Sequence, residues 1–286
     1  MKPARALVTL TVMCASATAS AENVGGPAEW LATVAITAGE DQMLSVESSG
    51  TLYLTDVRSG EWLVIGKDVK HPGVRLMTSD PSFVYTVEGD GSLFQIYGFD
   101  GSTKRVGVAK AWTHARAIAR RPDVMKPAEG DAEVVRPADI WTLEGAELIR
   151  ADGDFKRKAV GKPAHADATH LVLADAPVTL VDSDKLAPES IYTVSRDFSV
   201  HAIDMATGAR KELAKPGTLV GAVHVTGANG KIYGVNAKGD VTAVATKTGK
   251  ATPLEAGFGK PMRFVVAVGD FLVGVDASGN FNRIKH

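Results

Sequence analysis

The sequence predicts an all-β protein, a β-propeller of six four-stranded blades in which the N- and C-terminal strands close one blade. Three observations predict this fold. An apolar strand, a short turn that usually contains glycine, and a second strand recur six times along the chain. Most copies follow one another at intervals near 40 residues, which is typical of propeller blades. The last copy stops after its second strand, so the N-terminus has to supply what is missing.

The repeat is easiest to follow from the last residue of each first strand. These anchor residues are Val46, Val87, Leu143, Val194, Val235 and Val275, and successive anchors are 41, 56, 51, 41 and 40 residues apart. Residues 232–235 illustrate the unit, since they precede a turn at 238–240 and a strand at 241–244. A second turn follows in most copies, as at 206–208, and its glycine supplies the positive φ that tight hairpins need.

Each unit then ends in a more apolar strand, such as 220–225 or 263–268, which brings the count to four strands per blade. Residues 30–36 resemble residues 263–268, and both segments lead into the first strand of a repeat. We therefore predict that residues 30–36 complete the sixth blade and close the ring. A ring of closed sheets leaves few exposed edges, which protects an all-β protein from aggregation.

The recurring order of an apolar-Tyr-x-Val strand, a glycine, a Leu-Tyr-x-x-Asp strand and Thr-Gly resembles the PQQ-like, tachylectin-like and WD-repeat propeller families. Residues 53–62 and 201–208 carry the pattern most clearly. The resemblance covers nearly the whole chain after residue 21, and it concerns the fold alone. It implies no particular activity.

Residues 1–21 have the three parts of a secretory signal: a short positive start, an apolar run from Ala6 to Ala15, and an Ala-x-Ala ending. Cleavage before Glu22 would leave residues 22–286 as a single propeller domain in the periplasm or outside the cell. The alternative, lipid attachment at Cys14, is disfavoured because Met13 is too large for lipoprotein processing. No other segment is apolar for long enough to span a bilayer.

Charge and cysteine content exclude several classes of site. The chain has 32 Lys and Arg against 33 Asp and Glu, and removal of Lys2 and Arg5 leaves 30 basic residues and a net charge near −3. Nucleic-acid-binding domains normally carry a strong basic excess, so we expect no nucleic-acid partner. Cys14 is the only cysteine. The mature chain therefore has no disulfide, thiolate nucleophile or thiolate metal site.

Two intervals between anchors are longer than the rest. About 15 extra residues lie at 120–137 and about 10 lie around 174–188. We predict that both join the last strand of one blade to the first strand of the next, and that they share one face of the propeller. They are either tolerated surface loops or a binding surface. The candidate binding residues at or beside them are Arg120, Arg121, Asp139, Trp141, Asp182 and Asp184.

The search for catalytic chemistry finds no hydrolase, phosphate-loop, zinc-protease or dinucleotide motif. The densest polar cluster, residues 165–170 with two histidines and an aspartate, would converge on a metal only if the chain turned there. Residues 276–280 offer oxygens to calcium but are better explained as a hairpin turn. We therefore predict no catalytic residue, no metal and no cofactor.

Four aromatic residues recur at one position of the inner strands. They are Tyr85, Trp141, Tyr192 and Tyr233. Packing between blades is the favoured interpretation of this regularity, and a set of sugar sites is the alternative.

The favoured function is a non-catalytic binding or scaffolding protein that offers one loop face to a protein, peptide or glycan, as a monomer or within an extracytoplasmic complex. One alternative is a hydrolase or lyase with its site at the central channel. Another is a multivalent lectin. The polar turn residues differ between copies of the repeat, which argues against equivalent sugar sites.

Overall fold

The computed structural model describes residues 21–286 except 25, 27, 40, 67–68, 81, 99, 122, 128–131 and 175–189. The described residues form 26 β-strands and no helix, and so contain no helix able to cross a membrane. The predicted signal at 1–21, with Cys14, lies outside them except for Ala21. The predicted all-β class is confirmed.

Twenty-four of the strands form six four-stranded antiparallel sheets, the blades. The first strand of the described residues, β1 (Glu22–Val24), belongs to blade 6. Blade 1 consists of β2 (Thr33–Ala38), β3 (Gln42–Glu47), β4 (Leu52–Asp56) and β5 (Trp62–Ile65). Blade 2 consists of β6 (Val74–Ser79), β7 (Phe83–Glu88), β8 (Leu93–Tyr97) and β9 (Thr103–Val106).

The next two blades contain the longer intervals. Blade 3 consists of β10 (Ala115–Arg121), β13 (Asp139–Glu144), β14 (Glu147–Ala151) and β15 (Arg157–Ala159), and the hairpin of β11 (Val124–Pro127) and β12 (Ala132–Arg136) is inserted after β10. Blade 4 consists of β16 (Ala168–Leu173), β17 (Ile191–Ser195), β18 (Val200–Ile203) and β19 (Arg210–Ala214).

Two blades complete the ring. Blade 5 consists of β20 (Ala222–Ala228), β21 (Lys231–Asn236), β22 (Val241–Ala245) and β23 (Ala251–Pro253). Blade 6 consists of β24 (Met262–Val268), β25 (Phe271–Asp276), β26 (Phe281–Lys285) and β1. The first strand of each blade contacts the first strands of both neighbouring blades, including β24 with β2. The six first strands thus surround a central channel, and the predicted six-bladed propeller is confirmed.

The ring is closed by the N-terminus, as predicted, but by a different segment. β1 pairs with β26, placing Glu22 opposite Arg283 and Val24 opposite Phe281. Residues 30–36, predicted to close the ring, instead lead into β2, the innermost strand of blade 1. Residues 263–268, which they resemble, lie in β24, the innermost strand of blade 6. The two segments are alike because both contribute to innermost strands. The apolar strand is therefore the first strand of each blade and not the last. It is apolar because the innermost strand is covered by a neighbouring blade on either side.

The apolar side chains are buried between blades. Six clusters lie in the described part of the chain, one at each junction of neighbouring blades. The equivalent second-strand residues Leu44, Tyr85, Trp141, Tyr192, Tyr233 and Val273 each belong to the cluster that their blade shares with the next, and all are at least 95% buried. The recurring aromatic position is therefore explained by packing.

Neighbouring blades are also joined through the turn after the second strand. At the closing junction the carbonyl of Gly279 accepts a hydrogen bond of 3.0 Å from the main-chain NH of Trp30. Gly279 has a φ of +77°, and a Cβ added there would lie 2.4 Å from the nitrogen of Leu31. Only glycine allows the two backbones to approach so closely.

The two ends of the propeller differ in their loops. We call the end where the innermost strands begin the linker face, because the connections from one blade to the next lie there. The end where the innermost strands finish is the insertion face.

Of residues 120–137, the first two end β10 and the rest lie between β10 and β13, so this insertion follows the first strand of a blade. The second predicted insertion, at 174–188, falls in the sequence between β16 and β17, and all of it but Ala174 lies outside the described residues. The predicted place between blades was wrong, because each insertion falls in the sequence between the first and second strands of one blade. The first insertion lies at the insertion face.

Candidate functional site

The inserted hairpin of blade 3 is the largest departure from the repeat within the described residues. β11 and β12 pair antiparallel, with Met125 opposite Val134 and Pro127 opposite Ala132. Its two ends join β10 at Arg121 and β13 at Asp139, and these two residues lie opposite each other in the blade 3 sheet. The base of the hairpin is therefore held by the blade itself.

A buried polar cluster lies under this base, which we call the base network: Arg121, Asp139, Trp141 and Arg150. The carboxylate of Asp139 is fully buried. Its Oδ1 accepts hydrogen bonds from Nε of Arg121 at 2.9 Å and from Nε1 of Trp141 at 2.7 Å. Its Oδ2 accepts from Nε of Arg150 at 2.8 Å and from Nη2 of Arg121. One carboxylate thus binds two guanidinium groups and an indole.

Sheet register explains why these four residues meet. Arg121 faces Asp139 across the β10–β13 pair, and Trp141 faces Arg150 across the β13–β14 pair. Asp139 and Trp141 are two residues apart on one strand, so their side chains project from the same side of the sheet. Arg121 also approaches Sδ of Met205 in blade 4, at 3.9 Å from its Nη1. The base network therefore lies on the side of blade 3 that faces blade 4.

Arg120 projects from the other side of β10, towards blade 2. Its Nε lies 2.9 Å from Oδ2 of Asp80, and its main-chain NH donates to Oγ1 of Thr78 at 3.0 Å. Its guanidinium carbon lies 4.7 Å from the ring centre of Tyr85, a cation–π geometry. Adjacent residues of a strand point in opposite directions. The Arg120–Arg121 pair consequently fixes the end of β10 to both neighbouring blades.

The electrostatics of these groups favour anchoring over acid–base chemistry. Burial raises the pKa of Tyr85 to about 12, although the nearby charge of Arg120 opposes the shift. The phenol therefore stays protonated near neutral pH, where it accepts a hydrogen bond from the Gln95 amide at 3.0 Å. Both oxygens of Asp139 are engaged by donors, and Asp80 additionally accepts from the main-chain NH of Phe83 at 2.8 Å. Both carboxylates thus accept hydrogen bonds from groups of the protein itself.

Around this anchor the insertion face offers partly exposed side chains of mixed chemistry. Val134 on the hairpin is 51% exposed and Tyr97 at the end of β8 is 38% exposed. The ring centres of Phe83 and Tyr97 lie 5.6 Å apart. The side chain of Arg150 remains 41% exposed although its Nε binds Asp139. An aliphatic residue, two aromatic rings and a guanidinium therefore lie at one end of blades 2 and 3.

The structure brings together three of the six residues that the sequence singled out. Arg121, Asp139 and Trp141 meet in the base network. Arg120 lies next to Arg121 on β10 but binds Asp80 on the side towards blade 2, and all four residues are mostly buried. Asp182 and Asp184 lie outside the described residues. Sequence reasoning missed Asp80 and Arg150. The alternation of β14 could have placed Arg150 near Trp141, but no sequence signal linked Asp80 to Arg120, 40 residues away.

The other polar clusters do not form a metal centre. His165 and Asp167 lie in the turn before β16, where Asp167 pairs with Arg210 at 2.6 Å. His170 lies on β16, where burial lowers its pKa and the charge of His224 lowers it further. Oδ1 of Asp276 accepts main-chain hydrogen bonds from Ser278 and Asn280, each 2.9 Å, as a hairpin turn requires. Across the described residues no three His, Asp or Glu side chains are grouped to hold a metal ion.

Comparison with known proteins gives a fold-level result. No protein-family model matches the sequence, and no curated protein matches it. Solved structures do match. The structure of U3-55K has a TM-score of 0.61 and 11% sequence identity, over 93% of this chain and 98% of that one.

Two bacterial structures are similar in the same way. A protein of unknown function from Bacteroides thetaiotaomicron has a TM-score of 0.54 at 12% identity, over 93% of this chain and 75% of that one. Virginiamycin B lyase from Staphylococcus aureus has a TM-score of 0.51 at 13% identity, over 93% and 98%. At such low identity a likeness carries the fold and not the activity. The chain has the β-propeller fold.

Proposed function

We propose that this protein is an exported, non-catalytic β-propeller that binds a protein, peptide or glycan partner at its insertion face. The observation that carries the proposal is the inserted hairpin on the buried base network. A loop that is merely tolerated needs no such support, whereas a loop that presents a binding surface gains affinity from being held in place. The network also ties the hairpin base to blade 4, and Arg120 ties it to blade 2.

The chemistry of the face supports binding over catalysis. Asp80 and Asp139 are engaged in ion pairs with Arg120 and Arg121. Of the groups left partly exposed there, Tyr97 and the guanidinium of Arg150 are of the kinds enriched in protein interfaces, and Val134 adds apolar surface. A tyrosine and a guanidinium at the same face also suit a glycan or peptide that offers both apolar and polar groups.

Replacing residues 122–137 by a short Gly-Asn-Gly turn tests the proposal. The replacement spares Arg121 and Asp139, so the free energy of unfolding should change by less than about 1 kcal/mol, as for most surface changes. Partner capture should be lost. The measurement combines urea denaturation with crosslinking through a photoreactive phenylalanine analogue at position 134.

The control places the same crosslinker at Lys158, an exposed residue on the outermost strand of blade 3. Position 134 should capture a defined partner that position 158 does not. The loop-replaced protein lacks position 134, so its crosslinker is placed at position 97. If it captured as much partner as the protein with the hairpin, the hairpin would not be needed for binding. Substrate turnover that survives the replacement would favour the enzyme hypothesis instead.

Export is tested by the mass of the mature chain. Signal cleavage before Glu22 would retain all of β1, the strand that closes the ring. Intact mass spectrometry of protein from the extracytoplasmic fraction should therefore give a chain that starts at Glu22. A chain found only in the cytoplasm with residues 1–21 attached would contradict the proposal. Cleavage after Val24 would contradict the predicted cleavage site, and it would also remove the closing strand.

A further inference from the structure

Every innermost strand contains a β-bulge at the same place. The pairing of the first strand with the second shifts register between residues one and three of the first strand in all six blades. The residue between them is the bulge residue. In ring order the bulge residues are Val34, Arg75, Arg116, Thr169, Val223 and Arg263. Bulges redirect a side chain and are frequent beside functional sites.

The bulge residues surround one mouth of the central channel. All six innermost strands begin at the linker face, so their second residues form a ring there. In five blades the residue before the bulge is at least 90% buried, whereas every bulge residue is exposed or half-buried. The repeated bulge therefore turns six side chains towards solvent at the linker face, opposite the inserted hairpin.

Three of the six bulge residues are arginines, and each guanidinium binds main-chain carbonyl oxygens. The acceptors include those of Trp112, Thr113 and Ala115 for Arg75, those of Gly145, His165 and Ala168 for Arg116, and those of Leu31 and Thr33 for Arg263. Most of these oxygens belong to the next blade or to the linker leading into it. A carbonyl is neutral, so these contacts fix the position of the cation without cancelling its charge.

No carboxylate forms an ion pair with these three arginines, Arg75, Arg116 and Arg263, within the described residues. Three acidic residues of the linker face are bound to other cations: Asp167 to Arg210, Asp276 to Lys260 and Glu144 to Arg157. Burial lowers the pKa of Arg116 and the neighbouring positive charge of Arg196 lowers it further, whereas the negative charge of Asp167 raises it. The mouth thus carries three guanidinium groups that carbonyl oxygens hold in place and that no described carboxylate pairs with.

Apolar side chains are exposed on the same face. The bulge residues Val34 and Val223 are 39% and 48% exposed. In the linkers, the side chains of Leu31, Val108 and Val220 are 55%, 74% and 71% exposed. The cavity beside Leu219 and Val220 holds only about 20 Å³, far below the roughly 300–1,000 Å³ of small-molecule sites. That cavity is too small for a small-molecule ligand, whereas the exposed apolar side chains suit an extended partner.

We propose that the linker-face mouth is a second binding site, which takes an acidic protein segment bearing apolar side chains. Charge complementarity selects the acidic partner, since three fixed arginines attract carboxylates without first giving up an ion pair. Exposed valines and leucine between the arginines accept its apolar side chains. This site lies on the face opposite the inserted hairpin, so it is independent of the function proposed above. Together the two faces would let the propeller bridge two partners.

The test separates the charge of the arginines from their clamping contacts. The triple variant R75Q/R116Q/R263Q loses charge and clamps, whereas R75K/R116K/R263K loses the clamps and keeps the charge. The probe is a fluorescent peptide of alternating Glu and Leu, and its binding is measured by anisotropy at low and high salt. The same peptide with Gln in place of Glu is the neutral probe. The control protein, K104Q/K158Q/K211Q, loses three charges from exposed positions on outermost strands.

We expect the wild-type protein to bind the acidic peptide, and binding to weaken with salt. The Gln triple variant should bind at least about tenfold more weakly, as loss of three charge contacts implies. The Lys triple variant should keep most of the affinity even if it melts earlier. The control should bind like the wild type. Absence of binding to the wild type, equal binding of the neutral peptide, or equal loss in the Lys variant or the control would overturn the proposal.

Discussion

Replacing Asp139 by alanine is expected to lower the free energy of unfolding by about 3–5 kcal/mol, the usual cost of removing one partner from a buried ion pair. The carboxylate is fully buried and serves Arg121, Arg150 and Trp141 at once. Its removal leaves the indole NH of Trp141 without this acceptor and the guanidinium of Arg121 buried without the carboxylate. Urea denaturation of the purified variant measures the loss.

The matched control is Asp154→Asn in the same blade. Asp154 pairs with Lys156 at 3.1 Å, and both side chains are 77% exposed. Surface pairs of this kind contribute between nothing and about 1 kcal/mol. The control should therefore unfold almost like the wild type. An Asp139→Ala protein as stable as the control would show that the base network does not hold the hairpin, and the support for the proposed binding face would fall with it.

The repeat could be read from the sequence because its cause is local. Each blade needs a buried strand and a tight turn, and both leave direct marks, an apolar run and a residue that tolerates positive φ. The phase of the repeat was harder to read. Residues 30–36 and 263–268 are alike because both lie at innermost strands, but a circular repeat shows no sequence mark for where one blade ends. The three residues of β1 are too short for a hydrophobic pattern.

The sequence could place residues of the candidate site together only where the geometry of a single strand determines their positions. Asp139 and Trp141 share a side of β13 because they are two residues apart, and this spacing is visible in the sequence. The partnership of Arg120 with Asp80 depends on how blade 3 lies against blade 2, which no local pattern records. The bulges are equally invisible, since Arg75 and Val34 occupy the same structural position with unlike side chains.

Deleting residues 22–24 is expected to be as damaging as the loss of Asp139, because it removes the strand that closes the ring. Val24 is 7% exposed and packs in one cluster with Trp30 and Phe281. Burial of such a side chain contributes roughly 1.5–3 kcal/mol, and each lost backbone hydrogen bond about 0.5–1.5 kcal/mol. We expect a total loss of about 3–5 kcal/mol, which lowers the melting temperature by roughly 10 °C or more.

The deletion should also change the state of association, since β26 becomes the edge of a three-stranded blade and can pair with another chain. Light scattering after gentle heating should detect this aggregation. Glu22→Gln is the control, because it removes only the partly exposed ion pair of Glu22 with Arg283 and keeps the strand. That variant should melt within a few degrees of the wild type and keep the wild type's state of association. If the shortened chain behaved like the control, β1 would be a loosely attached tail, and the ring would have to be stable with its last blade incomplete.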